Sequence, residues 1–472
     1  MSIDFGKTLS SAPTTIPGLT VIDLPVHGDR RGWFKENWQR EKMVAAGLPD
    51  FGPVQNNISF NDAMGTTRGI HAEPWDKYVS VATGCIFGAW VDLREGPTFG
   101  TVFTTEIDPS RAIFVPRGVG NAYQTLEADT AYVYLVNDHW AAEGTDYAFL
   151  NLADETVEIE WPIPLDQVEI SNKDRDHPRL ASVAPIAPRK ILVLGANGQL
   201  GRSLRAEFGD AGHIEYMSRA DLDVTARGLE SARRWRDYGV IINAAAHTSV
   251  DEAETAEGRL SAWAANAAAP ASLARIAAEN RIILVHVSSD YVFDGSSERP
   301  YREDDPMTPL GVYGQSKAAG DLAVATAPRH YIVRTSWVIG DGDNFVRTMV
   351  SLAERGIDPK VVDDQFGRLT FTADLARGIR HLLDADAPYG TYNLTSGGDT
   401  VSWADIAEAV FEATGHDPAR VSPVSTAAYY SSASGPIAVR PRNSTLDLSK
   451  IEETGYSPGG SAALSVYLEN SG

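Results

Sequence analysis

The stretch Lys190–Phe208, KILVLGANGQLGRSLRAEF, decides how the larger part of this chain folds. It opens on an apolar run of the kind buried on both faces of a parallel sheet. Gly195, Gly198 and Gly201 follow at once and lead into a segment with helical periodicity. Glycines at such a junction permit a tight turn and bring the backbone close to a pyrophosphate at the helix N-terminus, where free N–H groups and the helix dipole favour an anion. The same spacing alone would serve as simple turns; its place at the first strand–helix junction of an alternating region favours a dinucleotide site. Gly195, Asn197, Gly198, Gln199, Leu200 and Gly201 are therefore expected around a cofactor.

Further along, VIINAAA, ILVHVSS and YIVRTSW read as more buried strands, with helical stretches such as Leu200–Phe208 and Pro270–Asn280 between them. That alternation predicts a doubly wound α/β (Rossmann) domain. The ribose end of the cofactor falls near HIEYMSRADLDVT, where an NAD site usually offers an acid. Ser218 and Arg219 stand there instead, and an arginine suits a 2′-phosphate, which favours NADPH over NADH. Asp221 and Asp223 follow closely, so a shifted strand end would reverse this preference.

Two further motifs carry chemistry. VYGQSKAAGD holds Tyr313 and Lys317 at the i, i+4 spacing that stacks two side chains on one helix face. An ammonium there is expected to lower the phenol's pKa and fit it for proton transfer to an alkoxide. Upstream, HVSSDYVFDG ends a strand with Ser289 and Asp290, and a hydroxyl at that end can bind a carbonyl oxygen. A tyrosine alone would be an ordinary half-buried side chain. Glycine loop, strand-end serine and Tyr–Lys pair in this order reverse that reading.

On these residues the part from Lys190 to about Gly455 resembles the extended short-chain dehydrogenases, most closely the dTDP-4-dehydrorhamnose reductases. The matching text is LGANGQLG, NAAAHTSVDEAE, SSDYVFDG, VYGQSK, RTSWV, NFVRTM, VVDDQFGRLT and RPRNSTLD. The resemblance implies Ser289, Tyr313 and Lys317 as the catalytic trio. It places Ala245, Ala246, Thr248 and Val250 near the cofactor, and Asp290, Trp337 and Arg334 toward substrate. Departures from the family pattern are His247 for a tyrosine, Ser289 for a threonine and Leu369 for a proline.

The preceding part has another texture. From about Val21 to Trp161, VSVATG, FGAWVDLR, TVFTTEI, AIFVPRG, AYVYLVND and VEIEWPI recur at the spacing of antiparallel strands, predicting a β-sandwich or small barrel. ENWQREKMVAAGL, Glu36–Leu48, reads as a helix. Residues 177–188, with three prolines and no periodicity, read as a linker, an extended arm packed on the first domain being the alternative. The expected domains are therefore 1–176, 177–188 and 189–472.

Arg31, Arg68 and Lys77 among these strands could balance a diphosphate, and His71 could act as a base. A lone strand histidine is more often simply a satisfied side chain. His27, His71 and His139 lack the spacing of metal-binding cupins, so no metal is expected. This part, about Ile16–Leu180, resembles the dTDP-4-dehydrorhamnose 3,5-epimerases, metal-free cupin (jelly-roll) proteins. IPGLTVIDLPVHGDRRGWFKE, VQNNIS, TRGIH, VDLREGPTFG, FVPRG and SNKD carry the resemblance. It implies His71 as the base beside a 4-keto group, Asp174 as its orienting partner and Tyr134 as the acid on the opposite face. Arg31, Glu36, Gln55, Asn57, Arg68, Lys77 and Lys173 would hold the nucleotide sugar, and Trp140 falls where an aromatic stacks on thymine. Asn121 stands in place of a histidine, and Thr145 in place of a glutamate unless Glu143 compensates; Asn121 can hydrogen-bond a sugar hydroxyl but cannot carry a proton.

Composition bounds the rest. The chain has 472 residues, with 43% hydrophobic and 9% aromatic residues, enough for several cores. With 41 Lys+Arg against 63 Asp+Glu its formal charge is −22, which disfavours nucleic acid as a partner. One cysteine, Cys85, excludes an internal disulfide. The first residues show no signal-peptide pattern and no run matches a membrane helix, so a cytoplasmic protein is expected. The resulting expectation is a bifunctional enzyme that epimerises dTDP-4-dehydro-6-deoxy-D-glucose and reduces the product with NADPH. By resemblance it would be a homodimer through the first domain. The alternatives are a reductase with a degenerate binding cupin, and a non-catalytic sensor of nucleotide sugar or NADPH.

Overall fold

The computed structural model describes residues 3–139, 147–431, 435–460 and 462–469, and the chain divides into two units, Met1–Pro188 and Arg189–Gly472. Runs of β-branched and aromatic residues in the first unit become β1 (Ser10–Pro13), β2 (Thr20–Asp23), β3 (Val26–Asp29), β4 (Gly32–Lys35), β5 (Gln55–Asn61), β6 (Thr67–Ala72) and β7 (Lys77–Thr83). They continue as β8 (Ile86–Asp92), β9 (Val102–Ile107), β10 (Arg111–Val115), β11 (Val119–Thr125), β12 (Thr130–Val136) and β13 (Ala148–Phe149). Two antiparallel sheets result, in the orders β1-β2-β10-β7-β12-β5 and β13-β6-β11-β8-β9, while β3 and β4 form a hairpin. Strand alternation turns Val79, Val81, Ile113 and Tyr132 of one sheet against Ile86, Trp90, Val119 and Tyr123 of the other, making one core. β5 is an edge strand, and its Ile58 and Phe60 are exposed.

The helix expected over Glu36–Leu48 is the shorter α1 (Arg40–Ala45). VEIEWPI at 157–163, expected as a strand, has no ladder. Its apolar residues still pack, with Val157 buried and Ile159 and Trp161 against the core. Its polar groups find other partners: Trp161 Nε1 donates to the Leu152 carbonyl and Ile163 N to Gln124 Oε1. A proline on each side of Ile163 also removes ladder donors. Residues 177–188 lie within the first unit. Val183 and Ile186 join its core, and Ile186 exchanges backbone hydrogen bonds with Leu93 and Glu95. Just before them, α2 (Asn172–Arg175) is capped by Ser171, whose Oγ accepts from Asp174 N. Cys85, in the tight β7–β8 connection, is buried, and burial pushes its thiol up to about 12.

In the second unit β14 (Lys190–Leu194), β15 (Ile214–Met217), β16 (Tyr238–Asn243), β17 (Ile283–Ser289), β18 (His330–Thr335) and Gly390–Asn393 form a six-stranded parallel sheet. β15 and β16 flank β14 on opposite sides, so the chain reverses its direction of travel across the sheet there. α3 (Gln199–Phe208) follows β14; α4 (Ala256–Trp263), a π-helical turn at Ala264–Ala268 and α5 (Ala269–Asn280) precede β17; α6 (Val312–Val324) precedes β18. Separate apolar cores lie on the two faces of this sheet, one built on Leu273 and Ile276, the other on Leu375 and Ile379. Short two-stranded pairs with the helices Phe345–Glu354 and Trp403–Ala413 enclose a further core. Among the described residues no helix is long and apolar enough to cross a membrane.

Candidate active sites

Ladder register decides which polar side chains of the first unit meet. His71 on β6 pairs with Asn121 on β11, and Arg68 with Tyr123, so all four share one sheet face. On the other sheet Tyr134 pairs with Asn57 and Val79, while Val136 pairs with Gln55 and Lys77. Val79, Tyr132 and Tyr123 belong to the shared core, so these are the facing inner sides. His71, Arg68 and Asn121 thus look across at Gln55, Asn57, Lys77 and Tyr134.

α2 returns the chain to β6 and sets Asp174 against His71, with His71 Nε2 3.0 Å from Asp174 Oδ1. Gly69 N donates to the second carboxylate oxygen at 3.3 Å. Burial raises the Asp174 carboxyl, but the hydrogen bonds from His71 and Gly69 outweigh it and hold the group below its ordinary value. An ionised, buried carboxylate fixes the imidazole's tautomer and orientation and leaves the ring's other nitrogen for a substrate. Tyr134 is half-buried, and burial followed by the Glu73 charge raises its phenol, so it stays protonated and can donate. Lys77 is buried against Glu73 at 2.5 Å, with its ammonium 5.4 Å from the centre of the Tyr134 ring.

The remaining predicted residues divide. Gln55 Nε2 donates to Asn57 Oδ1 at 2.8 Å, and Lys173 lies over Phe149 at 5.3 Å. Asn121 exchanges hydrogen bonds with the buried Tyr132 hydroxyl, so its amide serves the interior between the two sheets rather than standing free for a sugar. Arg31 and Glu36 are not gathered with the others: Arg31 pairs with Asp29 on the exposed hairpin and Glu36 with Lys42. Trp140, Glu143 and Thr145 lie outside the described residues. Glu73 and His177 escaped the sequence reading. Glu73 stands two residues after His71 and His177 three after Asp174, spacings that could have flagged both.

In the second unit the glycine loop has the shape a phosphate needs. A Cβ on Gly195, at φ +79°, would meet the Ala244 backbone at 2.8 Å, and one on Gly201 would strike the Gly195 carbonyl. Gly198 caps α3 with no side-chain hydrogen bond, leaving the helix N–H groups for an anion. Gly195, Asn197, Gly198, Ser218, Arg219, Asp223, Ala245 and Ala246 line one cleft of about 720 Å³. Gln199, Leu200, Gly201, Thr248 and Val250 are not in that lining. The Leu200 side chain is in the core and Gly201 lets the loop pack on α3, so both shape the cleft from beneath.

β15 ends at Met217, which makes Ser218 and Arg219 the first residues beyond the strand. Asp221 is occupied by Ser218, whose N and Oγ both donate to it; Asp223 accepts from Thr225 and pairs with Arg219 at 3.4 Å. With both acids engaged and Arg219 largely exposed, the cleft offers a guanidinium at its ribose end and fits a 2′-phosphate.

Ser289 closes β17, and its hydroxyl is near enough to the Tyr313 phenol of α6 to favour the phenolate slightly. Lys317 lies one turn on from Tyr313 and donates to the Val287 carbonyl at 2.6 Å, on the strand that carries Ser289. Burial pushes Tyr313 up to about 12, partly opposed by Ser289, and brings Lys317 down to about 8. The lowered phenol expected from the Tyr–Lys spacing is therefore corrected: desolvation exceeds any help from the ammonium, and Tyr313 is held in its proton-donating form. Asp290 is buried, accepts from Ser289 Oγ at 3.0 Å, and burial raises it to about 6. Trp337 takes a left-handed φ of 46° and stacks on Trp403 at 3.8 Å. Arg334, expected toward substrate, is instead a buried partner of Asp321 at 3.0 Å and donates to the Glu303 carbonyl. A buried guanidinium needs such partners, and here they lie in the core.

Asn266, in the π-helical turn, is fully buried; its Oδ1 accepts from His247 N at 2.9 Å and its Nδ2 donates to the His247 carbonyl and to Ser316 Oγ. It ties the loop after β16 to the helix bearing Tyr313 and Lys317. A lone polar residue in an alanine run was its only signal in the sequence.

The family described as RmlD substrate binding domain matches residues 189–461, and that described as dTDP-4-dehydrorhamnose 3,5-epimerase matches residues 13–182. A dTDP-4-dehydrorhamnose reductase of Streptomyces griseus is 40% identical over 285 residues, 58% of this chain and 91% of that protein. A Streptococcus pyogenes protein described as an RmlC homolog is 52% identical over 182 residues, 37% of this chain and 91% of that protein. The crystal structure of a dTDP-4-dehydrorhamnose reductase from Clostridium acetobutylicum is similar with a TM-score of 0.55 and 36% identity, covering 60% of this chain and 99% of that one. That of the Bacillus anthracis reductase, solved in complex with NADP, gives a TM-score of 0.54 and 32% identity over 60% of this chain and 98% of that one.

Proposed function

Since this chain belongs to the dTDP-4-dehydrorhamnose 3,5-epimerase family through residues 13–182 and to the RmlD family through residues 189–461, we propose that it performs two consecutive steps of dTDP-L-rhamnose synthesis. The first unit epimerises dTDP-4-dehydro-6-deoxy-D-glucose at carbons 3 and 5. The second reduces the resulting 4-ketone with NADPH. The observation that carries this reading is two acid–base sets on one chain: His71–Asp174 across from Tyr134, and Ser289–Tyr313–Lys317.

A 4-keto group acidifies the neighbouring C–H bonds. His71 Nδ1, freed by the Asp174 bond to Nε2, takes the proton, and Tyr134 returns one from the opposite sheet, inverting the carbon. Lys77 and Arg68 support the enolate and the diphosphate. In the second unit NADPH supplies hydride when bound. Gly195, Gly198 and the α3 N-terminus hold its pyrophosphate and Arg219 its 2′-phosphate. Ser289 and Tyr313 grip the ketone oxygen, and the Tyr313 phenol protonates the alkoxide. The Lys317 ammonium, brought down to about 8 by burial, returns a proton to the phenolate left behind, while Asp290 and Trp337 face the sugar.

The finer architecture follows the same reading: a jelly-roll cupin from two antiparallel sheets, and a Rossmann domain from the parallel sheet with a small substrate lobe. The chain acts in the cytoplasm as a homodimer through the first unit. The exposed hairpin at Val26–Lys35, the β5 edge with Ile58 and Phe60, and an Arg31 that its own barrel does not gather support pairing by exchange of N-terminal strands. A second reading, reduction with a binding-only first unit, draws on Asn121, whose amide is committed to Tyr132.

The test is mass spectrometry of the product made from the 4-keto sugar and NADPH in heavy water. A dTDP-deoxyhexose carrying deuterium at both carbons is expected, with His71→Ala lowering that uptake by about 10²–10⁴-fold. Reduced, unlabelled product from the intact chain refutes the epimerase.

A further inference from the structure

His177 is an imidazole that the chemistry above leaves unused. Its side chain is 6% exposed, and neither ring nitrogen finds a partner at normal hydrogen-bond geometry; the Leu150 carbonyl and the Asp174 carboxylate are its polar company. A buried imidazole with both nitrogens unpartnered, set against a carboxylate that already serves another imidazole, is costly for packing alone.

The geometry suggests what would satisfy it. His71 Nε2 and His177 Nε2 stand 3.0 and 3.7 Å from the same oxygen, Asp174 Oδ1, and one donor atom from each of the three residues lies within 4.8 Å of the others. A tetrahedral zinc ion with bonds of about 2.1 Å needs donors about 3.4 Å apart, between the two separations seen. Two nitrogens and one carboxylate suit a borderline divalent ion such as zinc or cobalt and disfavour calcium and magnesium. The fourth position would open on the side of His71, whose side chain is 35% exposed.

We propose that His71, Asp174 and His177 form a divalent transition-metal site of the zinc class, and that an ion there silences the first unit by engaging the His71 nitrogen that Asp174 orients. One ligand comes from β6 and two from the segment around α2, a different arrangement from histidines spread over neighbouring barrel strands. The site stands on geometry alone; the silencing rests on His71 being the epimerase base.

The experiment titrates the full chain, freed of metal by a chelator, with Co²⁺, whose visible absorption reports tetrahedral coordination, and then with Zn²⁺. One ion per chain is expected, displaced by Zn²⁺, raising the melting temperature and stopping solvent-deuterium uptake until a chelator restores it. His177→Asn and His177→Gln, each checked by circular dichroism, are expected to weaken cobalt binding at least about tenfold, the effect of losing even an outer partner of a metal ligand. Both are expected to keep taking up deuterium at a zinc concentration that stops the wild type. A cobalt spectrum unchanged by both substitutions, as from the exposed His27 or His139, overturns the site. A spectrum that depends on His177 while uptake continues in zinc overturns the silencing, and with it His71 as the base.

Discussion

Arg219 and Asp290 are the residues whose environments make the sharpest predictions. Arg219 is exposed and its only ion pair is with Asp223 among the described residues, so its energetic role is expected to appear when a 2′-phosphate arrives. Arg219→Ala is expected to raise KM for NADPH by about tenfold and leave KM for NADH nearly unchanged, read from initial rates with both cofactors. Asp290 has its folded value of about 6 above the ordinary 3.8, because burial penalises the anion. The folded chain therefore holds a proton that the unfolded chain has released. Stability from this group is complete below about pH 4 and falls as pH rises through 6, by about 3 kcal/mol in all. Lys317, lowered to about 8 from 10.5, acts in the opposite sense, and only between those values. Asp290→Asn is expected to narrow the difference in melting temperature between pH 5 and pH 8, at the cost of reductase rate; an unchanged difference would refute the buried, raised carboxyl. The placement of Tyr313 and Lys317 on one helix and of Ser289 at a strand end was legible, because spacing within one element sets it. Arg334 was misread because sequence does not tell a buried ion pair from a substrate contact.

At the scale of elements, the π-helical turn at Ala264–Ala268 deserves a test because its Asn266 joins two elements that the reaction needs together. Asn266→Ala would leave the His247 N–H and carbonyl without their side-chain partners, a loss of about 1–3 kcal/mol each when buried. The expected result is a lower melting temperature and a KM for NADPH that rises more than kcat falls, because His247 lines the cofactor cleft. Equal changes in both constants would place the residue in the chemical step instead. The parallel strands were legible as unbroken apolar runs, since both faces of each are covered. VEIEWPI alternates as a strand does, but flanking prolines and side-chain partners take the place of a ladder, and neither effect shows in periodicity. The register that faces His71 with Tyr134 is also invisible in one sequence, because it depends on pairings far apart in the chain.

Across the whole molecule, each unit has its own apolar cores, so 1–188 and 189–472 are expected to fold when made separately. The first half should take up deuterium into the keto sugar without NADPH, and the second should oxidise NADPH only when given the epimerised ketone. A second half that reduces the unepimerised sugar equally well would mean that the order of steps is not enforced by its pocket. The change in texture near residue 189 made this division readable, whereas the proline-rich segment before it joins the first core because Val183 and Ile186 are apolar enough to bury. The lone cysteine then becomes useful. Cys85 is shut inside the first unit with its thiol pushed up to about 12, so a fluorescent maleimide should ignore the native protein and label only molecules in which that unit has opened. The chain thus contains its own clock for the opening of one half, silent to whatever the other half does.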